Sequence, residues 1–328
     1  MIGGRFAVLA ICGAIFAASC ASGARPELAD AATTQAATTA STASTTTTTA
    51  EPPYVHPAAP NDRTYPSVPI GAEALAVRLY EVEGLIHEID PADGGWADLA
   101  HEQQMLYRTI GRRPDLIPDT VRNAPEELQE IIGLHLAARQ SIAGIGSGNE
   151  GPANVPAWEI IHPFAAGDLR ALYEQADADT GIHWSFLAAI NLLETGFGRI
   201  DGLSTAGAQG PMQFLPTTWE EVSDGDINDP NEAIPAAARY LVRRGGPSDM
   251  PRALWGYNNS DNYVDAVSRY ATLFRLDERS FIAAHSWEIH YSAALADLWF
   301  PVGYRFEEAL PAEDYVEVAP WSAPPPSP

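Results

Sequence analysis

The sequence predicts a mainly α-helical fold, and three observations support this prediction. Apolar residues recur at spacings of three and four in several segments of the 328-residue chain. Glycine- and proline-rich stretches separate these segments and mark the loops between helices. No segment shows the sustained alternation of apolar and polar residues that indicates a half-buried strand. We therefore expect helices throughout the folded part of the chain, and we assign no strand.

The N-terminus, MIGGRFAVLAICGAIFAASCASGARP, has the pattern of an export signal. Arg5 precedes an apolar run from Phe6 to Ala18, which is too short to be assigned as a membrane span. Small residues before Cys20 resemble a bacterial lipoprotein signal of residues 1–20, in which Cys20 becomes the lipidated mature N-terminus. The alternative is an ordinary secretory signal cut near the same place. Both predict export, and lipidation would anchor the protein at the cell envelope, facing the periplasm or the cell wall.

Charge and cysteine content exclude several classes of function. The chain has 43 acidic against 19 basic residues and a net charge of −24. A surface this acidic repels nucleic acid and anionic lipid headgroups, so we predict no nucleic-acid partner. The two cysteines are Cys20 and Cys12, and Cys12 lies inside the signal. The mature chain would therefore have no intramolecular disulfide and no cysteine-based metal site.

The export signal is followed by a polar segment and then by a helical N-terminal region. Residues 21–66 are rich in alanine, threonine and proline, and they predict a disordered tether. In residues 67–150, HEQQMLYRTI predicts one helix, and Pro125 opens another through EELQEIIGLHLAARQSI. The first helix of the region, AEALAVRLYEVEGLIHEI, has an amphipathic stripe: Leu75, Leu79, Val82 and Ile86. The region carries no recognisable chemical motif.

A second helical body follows a loop. The segment 144–156 is rich in glycine and proline, and helical patterns resume over residues 157–276. Residues 277–328 predict one more helix, ERSFIAAHSWEIHYSAALADLWF, and a disordered proline-rich tail that ends in PWSAPPPSP.

One carboxylate stands out in the second body. AAINLLETGFGRI places Glu194 in the last turn of a helix, predicted from Ile182, that is apolar around most of its circumference. Apolar surroundings and the negative end of the helix dipole both disfavour the charged form, so we expect a raised pKa for Glu194. A carboxyl that is protonated near neutral pH suits a general acid for glycoside cleavage. The alternative is a solvated residue at a frayed helix end.

The next segment, STAGAQGPMQFLPTTW, is patterned like part of a saccharide site. Gly207 and Gly210 permit tight turns and the close approach of a ligand. Met212 and Phe214 offer apolar contact, and Gln213 offers a donor and an acceptor to an N-acetyl sugar. Turn formation by the glycines and core packing by the apolar side chains are the alternatives.

A third segment, ALWGYNNSDNYV, combines an aromatic residue with amides and a hydroxyl, as saccharide clefts do. These residues are Tyr257, Asn258, Asn259 and Ser260. The alternative for Asn259 and Ser260 is helix capping.

In this order, the three segments resemble the lytic transglycosylase family, whose catalytic domain has a goose-lysozyme-like fold. The family shows Glu followed by Ser or Thr, then Gly-Ala-x-Gly-x-Met-Gln-(Phe/Ile)-x-Pro, then Tyr-Asn. The matching stretches here are Glu194-Thr195, GAQGPMQFLP at 207–216, and Gly256-Tyr257-Asn258. DPNEAIPAAARYL is similar to the family's helix between the second and third motifs. The resemblance covers residues 158–275 and implies a lysozyme-like catalytic domain preceded by the helical N-terminal region.

The resemblance implies that Glu194 is the catalytic acid/base. It would protonate the glycosidic oxygen between N-acetylmuramic acid and N-acetylglucosamine in peptidoglycan glycan strands. It would then deprotonate the muramyl 6-hydroxyl, which attacks the anomeric carbon and gives a 1,6-anhydro end. The resemblance implies no cofactor, no metal and no second catalytic carboxylate, because the 2-acetamido group of the substrate stabilises the cationic centre. We expect Asp201, the nearest acid downstream, to be a solvated turn residue.

The family pattern also implies substrate-binding positions. Ser204 and Gln213 match positions that line the catalytic subsite. Tyr257 matches the tyrosine that faces the reacting sugar, and Asn258 its supporting neighbour. With the two apolar residues of the second segment, we predict six substrate-binding residues: Ser204, Met212, Gln213, Phe214, Tyr257 and Asn258.

Three other functions are compatible with parts of the sequence. A lysozyme-type hydrolase would share the fold and use water, and a non-catalytic wall-binding lipoprotein would retain the cleft without the chemistry. A metalloenzyme is the third, but HEQQM at 101–105 lacks the second histidine of a zinc-binding HExxH motif. The role of residues 70–150 is also open. They could pack against the catalytic body, narrow its cleft or dock a partner from the wall-synthesis machinery.

Overall fold

A computed structural model of the protein describes residues 56–145 and 151–326. The predicted signal of residues 1–20, the lipidation site Cys20 and most of the predicted tether lie outside these residues. Within the described ranges, no helix combines the length and the apolar character needed to cross a membrane.

The described residues form twelve α-helices, which confirms the mainly α prediction. The helices are α1 Ala72–Glu88, α2 Trp96–Gly111, α3 Ile117–Arg122, α4 Gln129–Ala143, α5 Ala166–Thr180, α6 Trp184–Thr195, α7 Pro216–Val222, α8 Pro230–Arg244, α9 Met250–Tyr257, α10 Asp261–Leu276, α11 Glu278–His285 and α12 Ala312–Val318. Two 3-10 helices, Glu126–Leu128 and Pro320–Ser322, lie before α4 and after α12.

Short strands are also present, so the assignment of no strand is wrong. The strands are β1 Asn154–Val155, β2 Glu159–Ile160, β3 Ile200–Asp201, β4 Ile289–Ser292, β5 Asp297–Phe300 and β6 Leu310–Pro311. They form three antiparallel pairs, β1 with β6, β2 with β3, and β4 with β5. Strands of two residues are too short to show an alternating pattern in a sequence.

The three helices predicted in the N-terminal region are confirmed as α1, α2 and α4, and all four stripe residues of α1 are buried. Helix α4 packs along α10 of the second body. The Nδ2 atom of Asn262 on α10 donates to the carbonyl oxygen of Gly144 at 2.6 Å. One continuous hydrophobic core joins the two regions, so the N-terminal helices support α10 from outside.

The predicted C-terminal helix is wrong beyond His285, where α11 ends. The chain continues as the hairpin β4–β5, with Ile289 opposite Phe300 and Ser292 opposite Asp297. All eight residues of these strands are buried. A strand buried on both faces lacks alternation, and periodicity alone cannot distinguish it from a buried helix.

The end of the predicted tether is ordered. Arg63 forms an ion pair with Glu288. Tyr65 is buried and donates from its hydroxyl to the carbonyl oxygen of Asp297 at 3.0 Å. Residues 56–66 therefore belong to the folded body, because an arginine and a tyrosine anchor a stretch whose average composition predicts disorder.

The proline-rich tail is likewise ordered as far as residue 326. The 3-10 helix Pro320–Ser322 buries Ser322 completely. Trp321 packs against a small cluster that contains Tyr65 and Trp299. The prediction of a disordered tail is therefore wrong, because one aromatic anchor provides enough apolar contact to order it.

Candidate active site

Helix α6 carries Glu194 and forms from a nearly continuous apolar segment. Every residue from Trp184 to Thr195 is buried except Phe186. At the C-terminal end of the helix, Gly196 has a left-handed φ of 60°, and its N–H donates to Leu192 O. A glycine in this conformation ends the helix without the strain that a Cβ would cause. The observed helix starts two residues after the predicted start and fixes Glu194 in its last turn.

Glu194 is 1% exposed. Its Oε1 atom accepts a hydrogen bond from the hydroxyl of Tyr263 on α10, at 2.8 Å. The alternative of a solvated helix-end residue is therefore wrong. Asp201, by contrast, is exposed on β3, as expected of a solvated acid.

Sequence reasoning misses Tyr263. The Oγ atom of Ser260 accepts from the Tyr263 N–H and caps α10, so Tyr263 lies in the first turn of that helix. Its fully buried ring stacks on the ring of Tyr257, with centroids 6.4 Å apart and an interplanar angle of 6°. The residue stands in the third predicted segment, but only the packing of α10 against α6 brings it to Glu194.

The loop after β3 owes its shape to two glycines. Gly207 and Gly210 have φ values of 80° and 72°. Gln209 and Phe214 exchange two backbone hydrogen bonds and close the loop between them. A Cβ on Gly210 would lie 1.9 Å from Ile227 O, whereas one on Gly207 would meet no atom within 4 Å. Gly210 is therefore required by both φ and space, and Gly207 by φ alone.

Two side chains of α6 hold this loop. The Pro211 carbonyl oxygen accepts from Asn191 Nδ2 at 2.8 Å and from Thr195 Oγ1 at 2.7 Å. Tyr173 on α5 donates from its hydroxyl to Asn191 Oδ1 at 2.7 Å, which fixes the amide. Thr195 follows the candidate acid directly. Asn191 lies four residues before Thr195, on the same face of the helix. The four-residue spacing of Asn191 and Thr195 predicts that they share a helix face. It does not predict their common partner, because that partner is a backbone carbonyl in a loop.

Gln213 adopts a left-handed φ of 48°, which is uncommon for a residue with a side chain. Its Nε2 donates to Gly210 O at 2.9 Å. Its Oε1 is buried and has no hydrogen-bond partner among the described residues. Strained backbone and an unsatisfied buried acceptor in one residue are typical of functional positions.

The side chains of Met212 and Phe214 pack beneath the loop. Met212 is fully buried, and its carbonyl oxygen accepts from the Tyr257 hydroxyl at 2.7 Å. Phe214 lies in an aromatic cluster with Trp219, Tyr240 and Tyr257. The structure thus joins the second and third predicted segments, and both apolar side chains serve as core in this conformation.

The two remaining predicted residues also organise local backbone. Ser204 Oγ accepts from the N–H groups of Ala206 and Ala208, at 3.0 Å and 2.8 Å. Asn258 is 5% exposed and ends α9, with its N–H donating to Leu254 O at 3.0 Å. Their contact with substrate stays a prediction.

Comparison with known proteins gives a match over this region. The family model described as "Transglycosylase SLT domain" matches residues 171–274. Residues 171–274 are thus similar to a transglycosylase SLT domain, and these matched residues are called the SLT domain below. The recognition made from the three segments is thereby confirmed.

Two curated relatives match part of the chain, and both are named membrane-bound lytic murein transglycosylase F. The protein from Thiobacillus denitrificans is 29% identical over 117 residues, which cover 33% of this chain and 25% of the relative. The protein from Alcanivorax borkumensis is 33% identical over 72 residues, which cover 22% of this chain and 15% of the relative. The chain thus spans a quarter or less of these relatives' lengths. The comparison with solved structures found no match to the chain.

The SLT domain begins within α5 and ends within α10. It includes Glu194, all six predicted substrate-binding residues, and the three residues that sequence reasoning did not assign: Asn191, Thr195 and Tyr263. Helices α1 to α4 and the hairpin β4–β5 lie outside the matched residues. They share one hydrophobic core with the SLT domain.

Proposed function

We propose that this chain is a peptidoglycan lytic transglycosylase in which Glu194 acts first as general acid and then as general base. The observation that carries the proposal is the place of the buried Glu194 carboxyl, inside the SLT domain and on the helix whose Asn191 and Thr195 hold the loop of residues 204–214. The names of the two relatives support the same activity. The acid/base role of Glu194 and the anhydro product go beyond what these names say and are part of the proposal.

In the first step, Glu194 donates its proton to the glycosidic oxygen while the bond from that oxygen to the anomeric carbon breaks. The 2-acetamido group of the substrate stabilises the positive charge on carbon. The carboxyl becomes a carboxylate in a buried site, where an unassisted charge is costly. The Tyr263 hydroxyl offsets part of this cost, because its hydrogen bond to Oε1 strengthens as that oxygen gains negative charge.

In the second step, the Glu194 carboxylate accepts the proton of the muramyl 6-hydroxyl, and the freed oxygen bonds to the anomeric carbon. The reaction leaves a 1,6-anhydro-N-acetylmuramic acid end and an N-acetylglucosamine end. Glu194 is protonated again, and no water is consumed. The protons balance and the catalytic cycle closes, because the same group delivers one proton and recovers another.

The loop of residues 204–214 is proposed to hold the sugar beside the acid. The Gln213 Oε1 atom is a buried acceptor that suits an acetamido N–H. Ser204, Tyr257 and Asn258 complete the proposed subsite. Met212 and Phe214 would contribute through the loop backbone that their packing holds in place.

Digestion of purified sacculi by the full chain tests the proposal. Mass spectrometry should find sugar ends lighter by one water than reducing ends. Glu194→Gln should lower the rate by about 10²- to 10⁴-fold, while Asp201→Asn, the same change at an exposed acid, should leave it unchanged. Reducing ends instead would indicate a lysozyme-type hydrolase, and binding without cleavage would indicate a wall-binding protein.

We further propose that lipid on Cys20 attaches the protein to the cell envelope. The support is the lipoprotein-like signal and the words "membrane-bound" in the names of both relatives. Cys20→Ser should move the protein from the membrane fraction to the soluble fraction. Membrane retention of this variant at the wild-type level would refute the lipid anchor.

A further inference from the structure

One pocket of the molecule lies outside the proposed active site. It has a volume of about 430 Å³ and is formed by the end of the N-terminal segment, the residues after α6 and the start of the hairpin. Its charged and titratable lining residues are Arg63, His162, Arg199, His285 and Glu288. None of them belongs to the catalytic or substrate-binding residues predicted above. The volume is within the range of pockets that bind small organic ligands.

Arg199 provides a positive charge without a matching carboxylate. The residue is 8% exposed, and its Nη1 makes a long hydrogen bond of 3.5 Å to Gly196 O. It forms no ion pair with any carboxylate of the described residues. Its Nε and Nη2 atoms donate to no described residue and are not buried, and the residue lines the pocket. Burial lowers the pKa of Arg199 to about 10, which leaves the guanidinium charged at neutral pH.

The other charges of the pocket wall compensate one another. Arg63 pairs with Glu288 and Asp98, and its Nη2 donates to Ala97 O at 2.9 Å. The second oxygen of Glu288 accepts from Trp299 Nε1 at 3.2 Å. Among the lining residues, Arg63 and Arg199 are positive and Glu288 is negative, so the lining has one net positive charge. Asp98 lies outside the lining, and its side chain is 67% exposed.

The histidine beside Arg199 adds no charge at neutral pH. Burial, and then the neighbouring Arg199, lower the pKa of His285 to about 4. Its Nε2 lies 2.9 Å from Phe164 O, to which the neutral ring can donate. His162 lies at the exposed rim of the pocket.

One uncompensated guanidinium matches one monovalent anion. The guanidinium fork binds a carboxylate with two parallel hydrogen bonds. A phosphate dianion would bring a second negative charge towards Glu288, which disfavours it. The net charge of −24 is spread over the chain, and water and salt screen exposed charges beyond about 8 Å. We propose that the Arg199 pocket is a binding site for a small organic ligand, held through a single carboxylate.

Isothermal titration calorimetry on the full chain tests the site with a matched pair of probes. N-acetyl-glycylglycine has a free carboxylate, and its C-terminal amide lacks one. The acid should bind and the amide should bind at least about tenfold more weakly. Inorganic phosphate is the third probe and should bind more weakly than the acid.

Variants locate the binding to Arg199. Arg199→Met should lower the affinity for the acid at least about tenfold. It should not lower the melting temperature, because it removes a buried charge that forms no ion pair with a carboxylate. Arg243→Met, at an exposed arginine on α8, is the control and should bind the acid as the wild type does. Arg199→Lys retains charge but loses the fork, so it should bind the acid severalfold more weakly while remaining folded.

The outcomes separate this site from the proposed catalytic one. Glu194→Gln should bind the acid as the wild type does, whatever its effect on sacculus digestion. Equal binding of acid and amide, or unchanged acid binding by both Arg199 variants, would overturn the proposal. Tighter binding of phosphate than of the acid would overturn the single-carboxylate assignment.

Discussion

Two buried glutamates of this protein have nearly the same immediate surroundings. Glu194 on α6 is 1% exposed and accepts a hydrogen bond from Tyr263. Glu83 on α1 is 0% exposed and accepts from Tyr107. Gln103 Nε2 also donates to Glu83 Oε1, at 2.9 Å. Each carboxyl therefore lies on a helix, is removed from solvent and is oriented by a phenol.

Their wider surroundings differ. Glu194 lies in the SLT domain, beside a glycine-shaped loop that is held by α6. This loop contains Gln213, whose buried amide oxygen has no hydrogen-bond partner among the described residues. Glu83 lies among the N-terminal helices, outside the SLT domain. Its donor Gln103 also accepts from Trp287 Nε1, at 2.9 Å. Burial raises the pKa of Glu83, and the hydrogen bond from Tyr107 partly opposes that shift. Burial and a tyrosine partner therefore do not by themselves distinguish a catalytic acid, and the proposal for Glu194 depends on the SLT match and on the neighbouring loop.

Removing each carboxyl should separate the two sites most strongly. Glu194→Gln should lower the sacculus-digestion rate about 10²- to 10⁴-fold, because the amide cannot donate or recover the proton. Glu83→Gln should leave the rate within about twofold, because the amide still accepts from Tyr107 and Gln103. Rates from soluble muropeptide release check both variants. Equal losses in the two would contradict the distinction.

The loop next to Glu194 should be the next most sensitive feature. Gly210→Ala should reduce the free energy of unfolding by about 2–4 kcal/mol and reduce activity, because its Cβ would overlap Ile227 O. Gly207→Ala has the same φ problem without the collision and should cost about 1 kcal/mol. Denaturant melts measure both. A Gly210→Ala protein as stable as Gly207→Ala would contradict the loop geometry.

The two phenols should have different effects. Tyr263→Phe should lower the digestion rate roughly tenfold to a hundredfold, because the developing carboxylate loses a hydrogen bond. Tyr107→Phe should reduce the free energy of unfolding by about 1–2 kcal/mol without changing the rate. Kinetics and thermal melts on the same preparations check the pair. If the Tyr107 variant lost as much activity as the Tyr263 variant, Glu83 would have to be reconsidered as a functional group.

The smallest expected effect concerns His135, a buried histidine beside the Tyr107 partner of Glu83, and it is an effect on stability. Its ring stacks on Tyr107, and neither ring nitrogen has a hydrogen-bond partner among the described residues. Burial lowers its pKa to about 3, so its stabilising contribution is present above the unfolded-state pKa of about 6.5 and is lost as pH falls towards 3.

His135→Phe should remove this contribution to the pH dependence. Between pH 7 and pH 5, the wild type should lose about 1–2 kcal/mol more of its unfolding free energy than the variant does. The substitution should not change activity. Urea melts at both pH values measure the difference. Parallel loss of stability in the two proteins would contradict a neutral buried His135.

The helices and the candidate acid could be predicted because their signals are local. The apolar surroundings of Glu194 are visible in the sequence, and the order of the three segments identifies the family. Tyr263, Asn191 and Thr195 act through contacts between distant parts of the chain, and two of them bind a backbone carbonyl. Such contacts depend on helix packing and loop conformation, which local patterns do not encode.

The errors at the chain ends have a different cause. The hairpin β4–β5 is buried on both faces, so its sequence lacks the alternation of a half-buried strand. Residues 56–66 and the tail to residue 326 resemble disordered segments in average composition. Single anchors such as Tyr65 and Trp321 order them, and an average over many residues conceals a single anchor.

Mass spectrometry of sacculi digested by wild-type, Glu194→Gln and Glu83→Gln proteins tests the central claim most directly. The account predicts 1,6-anhydro ends from the wild type and from Glu83→Gln, and almost none from Glu194→Gln. Anhydro ends from Glu194→Gln at the wild-type level would contradict the assignment of Glu194 as the catalytic acid/base.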